Sequence, residues 1–287
     1  MDKSPLALIA RIALYLVLVV TALAFVMPVY VMLVNSLKPL DEIRSGDLMS
    51  LPIAWTVEPW LMAWSEAQIG VQATGLKPYF INSFLLVIPS VILSTLIGAM
   101  NGYILTQFKF KFADTLFAAM LFSVFIPYQI VLIPMAKTLG LLGLAGTIKG
   151  LIFVNTIYGI GFTTLFFRNY YAAFPTELVS SARMDGASFF GVLNRILLPN
   201  SAPIIVVTVI WQFTNIWNEF LFGASFSDYT SFPLTVALNN LVSASTGVKE
   251  YNVHFAGAFI AAIPTLVVYL VSGKYFVRGL MAGSVKG

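Results

Sequence analysis

Long apolar runs, separated by shorter polar stretches, make up most of this chain. From Ile12 to Val34 there are 23 residues without a charge. Similar runs cover about 81–106, 115–136, 150–167, 203–226 and 256–277. At about 1.5 Å per residue, a run of roughly 20 apolar residues crosses a ~30 Å hydrocarbon layer as a helix. The pattern therefore predicts an all-α polytopic membrane protein: six transmembrane helices in a single domain over 1–287. The first run is longer than the apolar core of a cleaved signal, and "NSLKPL" after it is no small-residue cleavage site, so it is read as retained. Pro127 and Pro134 predict kinks in the third helix.

One interruption differs from the rest. The loop 168–202 contains "ELVSSARMDGASFFGVLNRILLP" from Glu177 to Pro199, with Glu177, Arg183, Asp185 and Arg195 set among oily residues. Thr176 is placed to cap a helix beginning near Glu177, and a carboxylate in a first turn suits the positive end of the helix dipole. Leu178, Ala182, Phe189, Leu193 and Ile196 recur at helical spacing and predict one apolar stripe, on a helix that bends or breaks near Gly186. Pro199 and Pro203 are expected to end this piece and start the fifth span. An amphipathic helix of this kind has three open readings. It lies on the membrane, packs under its own bundle, or seats in a groove of a partner.

Composition narrows the function classes. Hydrophobic residues are 59% and charged residues 10% of the chain, against about 25% charged in soluble domains. The net charge of +4 reads as topology rather than nucleic-acid binding, because cytoplasmic loops retain Lys and Arg. Lys3, Arg11, Lys109, Lys111, Arg168, Arg183, Arg195, Lys274, Arg278 and Lys286 fall on one side, against Lys38, Arg44, Lys77, Lys137, Lys149 and Lys249 on the other. That bias places both termini and the 168–202 loop in the cytoplasm. The loop 35–80, with Trp55, Trp60 and Trp64, is then outside, its aromatics at the membrane interface or against an external partner. The chain has no cysteine, and its one histidine, His254, is expected in a loop. That removes disulfides, thiolate metal sites and Ser-His-Asp triads. Ser94, Gly98 and Gly102, and Gly257 with Ala261, stand four apart inside spans, a spacing that lets helix backbones approach closely in lipid. No G-x-x-x-x-G-K-[ST] phosphate loop is present.

The loop resembles the cytoplasmic signature of permease subunits of binding-protein-dependent ABC importers: Glu-Ala-Ala, three residues, Gly, nine residues, Ile, one residue, Leu-Pro. Here Ser180-Ser181-Ala182 occupies the triplet, Gly186 follows after three residues within Asp185-Gly186-Ala187, and Ile196 and Leu198-Pro199 complete it. Ser180 and Ser181 depart from the Glu and first Ala of the pattern. "FVMPVYVMLVNSLK" (25–38), "IWNEFLFG" (216–223) and "YFVRGLMAGSVKG" (275–287) are similar to the maltose-type carbohydrate branch. The resemblance implies that the loop is a coupling helix seated in a cytoplasmic ATPase, with Glu177, Ser180, Ser181, Ala182, Asp185, Gly186, Ala187, Ile196 and Pro199 at or near the contact. It implies a second permease subunit, an ATPase dimer carrying ATP and Mg, and an extracytoplasmic sugar-binding protein as partners. This chain would bind no cofactor or nucleic acid and would catalyse nothing itself, in a bacterial or archaeal inner membrane. The tail "MAGSVKG" is either a frayed end or a contact between the ATPase subunits.

Glu219 is the only acid expected inside a span, and intramembrane carboxylates point to function by default. Asn82, Asn155, Trp211, Asn215 and Asn218 could likewise meet a sugar's hydroxyls and ring faces. Polar residues between helices also serve as packing contacts, so both roles stay open for all six. The competing reading is an ion-coupled carrier or channel working alone. A membrane enzyme is disfavoured by the scarcity of catalytic groups.

Overall fold

A computed structural model describes residues 5–108, 110–243 and 249–282, with side chains placed from residue 8 to residue 272. Lys3, Lys109 and Lys286, and the end of the "MAGSVKG" tail, lie outside the described residues. Among those described, four helices are long and apolar enough to cross a membrane, and six when each of two bent helix pairs counts as one span. The chain divides into two compact units: Met1–Lys77 with Leu238–Ala261, and Pro78–Ala237 with Ala262–Gly287.

The first unit is built on α1 (Pro5–Ser36), of whose span only 6% is buried. A helix this apolar and this bare has the make-up of a membrane span. After α1 come two short helices, α2 (Leu40–Arg44) and α3 (Glu58–Ser65), then a hairpin of β1 (Gln68–Ile69) and β2 (Gln72–Ala73) paired Gln68 to Ala73. Lys38 is fully buried, and its Nζ donates to the Asp47 carbonyl at 2.9 Å and the Ser50 hydroxyl at 3.2 Å. Asn252 donates to the Lys38 carbonyl at 3.1 Å. Trp60 donates to the Ser36 hydroxyl at 3.2 Å and stacks on Phe259 at 6.0 Å. Ala63, Leu76, Val253 and Ala256 are buried in the same unit.

The second unit holds α4 (Lys77–Gln107, from Pro78 onward), α5 (Ala113–Val124), α6 (Tyr128–Leu141), α7 (Ile148–Ala172), α8 (Thr176–Met184), α9 (Phe189–Val192), α10 (Leu198–Asn200), α11 (Ala202–Asn218) and α12 (Leu221–Phe226). A π-helical turn, Leu193–Leu197, joins α9 to α10. Two further helices, α13 (Leu234–Ser243) and α14 (Tyr251–Ala282), run through both units. The small residues pack as helix-contact residues do in lipid. A Cβ at Gly98 would strike Thr163, and one at Gly102 would strike Phe167 and the Arg168 backbone, so α4 and α7 touch backbone to backbone.

Three sequence expectations change. The third span, 115–136, is two helices bent by 100° at Phe125–Pro127, whereas Pro134 sits inside α6. Pro127 lacks the N–H that would continue the ladder, and it begins a new helix instead. The fifth span, 203–226, ends at Asn218, because the Glu219 carboxylate turns to cap α12, accepting the Phe222 N–H at 2.6 Å and the Gly223 N–H at 3.2 Å. His254 lies within α14 rather than in a loop.

Candidate functional site

The segment 176–200 forms from strong local signals. Thr176 does not cap α8; Pro175 holds that position with no side-chain bond, and Thr176 is the first helical residue. The helix ends in a Schellman motif. Gly186 takes φ +82°, its N–H bonds the Arg183 carbonyl at 3.0 Å, and the Ala187 N–H reaches the Ala182 carbonyl at 2.9 Å. A left-handed residue is required there, and glycine adopts it without a Cβ penalty. Ser188 then caps α9, its hydroxyl accepting the Gly191 N–H at 3.2 Å. The segment ends between Pro199 and Pro203, as expected, with Pro199 itself inside α10. In an α-helix its ring would meet the carbonyl four residues back, and the wide π turn just before it relieves that contact. The break falls at Ser201, with an 83° bend into α11 and Pro203 in the first turn of α11.

The expected stripe is buried only in part: Leu193 enters the core, and Ala182 and Phe189 pack against it. Val179, Val192, Leu193 and Leu197 are buried, in one cluster with Ala99, Tyr103, Phe167 and Tyr171 of α4 and α7. Leu178 is instead exposed, Ala182, Phe189 and Ile196 are half-buried, and Leu193 is spent on the protein's own core rather than on a partner's groove. The stop at Gly186 and the π turn each shift the helical phase, so one 3.6-residue period cannot run from Leu178 to Ile196. Arg183 fastens the segment to α4, with Nη2 3.1 Å from the Tyr103 hydroxyl and the guanidinium 4.5 Å from the Phe108 ring centre. Facing away are Glu177, Leu178, Ser180, Ser181, Met184, Asp185, Gly186, Phe190 and Pro199, all exposed, while Ala187 is half-buried. Met184 is 83% exposed and Phe190 58%. The segment thus has two apolar faces, one used internally and one open.

A second feature lies between α6, α7, α11 and α12. A cavity of about 80 Å³ is lined by Asn155, Trp211, Asn215 and Glu219, four of the six residues singled out within the spans. Asn82 is elsewhere, donating to the Thr230 and Phe232 carbonyls at 3.0 and 3.1 Å, which makes it a packing residue. Asn218 is not among the lining residues, and its amide donates to the Thr214 carbonyl at 2.9 Å. The sequence reading missed Tyr128, Tyr158, Phe162, Gln212 and Phe222, which with Gly159 and Ile216 complete the wall. Tyr128, Tyr158 and Phe222 form a three-ring cluster with centres 5.0–5.1 Å apart. Gln212 donates to the Ser94 hydroxyl at 2.8 Å, and Ser94's carbonyl accepts from Thr163 at 2.8 Å. Amides, phenols, an indole and one carboxylate can hydrogen-bond and stack on a polar ring. No cluster of three or more His, Cys, Asp or Glu able to hold a metal occurs among the described residues.

Comparison with known proteins agrees across the chain's length. Residues 79–278 match the family described as binding-protein-dependent transport system inner membrane component. A probable ABC transporter permease protein of Pyrococcus horikoshii is 45% identical over 173 residues, covering 60% of this chain and 62% of that protein. The glucose import system permease protein of Saccharolobus solfataricus is 30% identical over 296 residues and covers 100% of both chains. In three dimensions, the crystal structure of a bacterial ABC transporter involved in the import of the acidic polysaccharide alginate contains a chain that matches with a TM-score of 0.83 at 19% identity. That match covers 96% of this chain and 99% of the other, and it speaks to the fold.

Proposed function

This chain is a member of the binding-protein-dependent transport system inner membrane component family, and on that footing we propose that it forms half of the translocation pathway of an ATP-driven carbohydrate importer. It is a transport subunit rather than an enzyme, and a multi-pass membrane protein. The partners are a second permease subunit, an extracytoplasmic sugar-binding protein, and a cytoplasmic ATPase dimer that carries the ATP and Mg. Both termini and the segment 176–200 face the cytoplasm. Relatedness over the full length to a glucose import permease favours a sugar cargo. The aromatic and amide lining of the cavity suits the same cargo, with Asn155, Trp211, Asn215 and Glu219 along its path.

The observation that carries the coupling role is the open face of 176–200. Leu178, Met184 and Phe190 stand out among Glu177, Ser180, Ser181 and Asp185, while the opposite face is locked to α4 and α7. Exposed apolar side chains rimmed by polar ones mark a protein or membrane contact, and the family's separate ATPase favours the protein. A push on this face reaches the spans through Arg183, Tyr103 and the buried cluster, with alternating access as the result. The test is the reconstituted importer, assayed for both sugar uptake and ATP hydrolysis. Gly186→Pro, or Asp185→Lys with Ala182→Trp, is expected to leave membrane insertion intact, abolish uptake and free hydrolysis from sugar control. Normal uptake in these variants would remove the coupling assignment.

A further inference from the structure

Between α2 and α3 the chain folds back as a strap along α1. From Leu48 to Val57 it carries no charged residue. Its backbone is tied inward at several points. Tyr30 donates to the Met49 carbonyl at 2.9 Å and Asn35 to the Leu48 carbonyl at 2.8 Å. Lys38 holds the Asp47 carbonyl, the Ile53 N–H donates to Glu42 at 2.8 Å, and the Thr56 N–H donates to the Leu37 carbonyl at 3.0 Å. With the backbone so occupied, the side chains of Leu48, Met49, Leu51, Ile53, Trp55 and Val57 all turn outward, Ile53 at 90% exposure.

The position of the strap says what meets those side chains. Tyr30 lies six residues before Ser36, the last residue of α1, so the bond from Tyr30 draws Met49 back about 9 Å along the helix axis. The uncharged run of α1 lies between Arg11 and Lys38. About 20 residues centred on that run cross the hydrocarbon, which puts Tyr30 just inside its edge. Beside it the surface of α1 is itself bare, so the strap continues a lipid face. Unpaired backbone groups are costly in such a medium, and the pins to Tyr30, Asn35, Lys38, Glu42 and Leu37 remove that cost for the carbonyls and N–H groups they hold. Trp60 takes no part, since its ring is stacked on Phe259.

We infer that Leu48–Val57 is a membrane-interface anchor. It lies in the headgroup–acyl boundary of the leaflet at the C-terminal end of α1, with Met49, held beside Tyr30, as its deepest contact and the lipid surface as its partner. Apolar segments settle at this boundary with aromatic rings at headgroup level. The anchor fixes the height of the loop that leads from the first span into α3, whatever solute the protein carries.

The chain's lack of cysteine permits a direct test. Single variants Met49→Cys and Ile53→Cys carry an environment-sensitive fluorophore in the full chain, reconstituted in vesicles of phosphatidylethanolamine and phosphatidylglycerol. Val71→Cys, on the exposed hairpin turn, gives the water standard, and Val20→Cys, on the bare part of α1, the deep standard. Labels at 49 and 53 are expected to emit to the blue of the label at 71 and to resist iodide supplied on both sides. They should lose most emission to lipids brominated near the glycerol, while the label at 20 loses most to lipids brominated deep in the chain. Iodide quenching at 49 and 53 equal to that at 71 would overturn the anchor. So would resistance to iodide and brominated lipids together, because protein would then cover the strap.

Discussion

The two bent spans reach similar angles by different means. At Phe125–Pro127 the turn of 100° is written into the backbone by proline, and its hydrogen bonds stay local: Phe125 N–H to the Phe122 carbonyl and Ile126 N–H to Ser123. Phe122, Phe125, Ile130 and Ile133 around it are all exposed. At Ser201 the turn of 83° is held from outside, by α7. Tyr170 donates to the Asn200 carbonyl at 2.7 Å, and the Ser201 hydroxyl is paired with Tyr171 at 3.2 Å and with the Leu197 carbonyl at 2.5 Å. The Tyr171 ring is itself a fully buried member of the cluster that also anchors 176–197. The first bend is a property of its own sequence. The second is a joint made by three elements, and it is the one next to the proposed coupling face.

Substitutions can reverse or refine that contrast. The largest effect is expected from Tyr171→Ala, which empties a fully buried ring position; about 3–5 kcal/mol of stability should be lost, read as a lower melting temperature of the solubilised chain. Gly102→Val drives a side chain into Phe167 beside the same joint and should cost about 1–3 kcal/mol by the same assay. Tyr171→Phe keeps the ring and removes only the hydroxyl partner of Ser201, for a loss of about 1 kcal/mol. Pro127→Ala is expected to cost less than ~1 kcal/mol, because only the stiffness of the chain changes. If Pro127→Ala proved more damaging than Tyr171→Ala, the contrast would be inverted and the exposed corner would be the structural joint.

The same contrast explains what could be read in advance. Pro127 announces its bend because proline acts through its own ring, and Gly98 and Gly102 announce a helix contact because only small residues permit one. Ser201 announces nothing: its bend depends on Tyr170 and Tyr171, which are near it only after folding. The apolar stripe expected from Leu178 to Ile196 holds for Ala182, Phe189 and Leu193 and omits Val179, Val192 and Leu197, because a Schellman stop and a π turn reset the helical phase. Within the cavity, Asn155, Trp211, Asn215 and Glu219 were visible as polar or indole groups in apolar runs. Tyr128, Tyr158 and Phe222 were not, since aromatic residues in a span look like ordinary lipid-facing or packing residues. Gln212 was missed although it is as polar as its neighbours, and the signal that would have found it was its position one turn before Ile216, on the same side of α11 and lining the same cavity.

Ser94 is where three spans are fastened to one another: Gln212 of α11 bonds its hydroxyl, Thr163 of α7 bonds its carbonyl, and Gly159 of α7 closes against both Ser94 and Gln212. Helices riveted at a single level cannot slide past each other there without breaking buried hydrogen bonds. Any motion of these spans would therefore carry α4, α7 and α11 as one slab, with the corner at Pro127, held only by its own local bonds, left to flex.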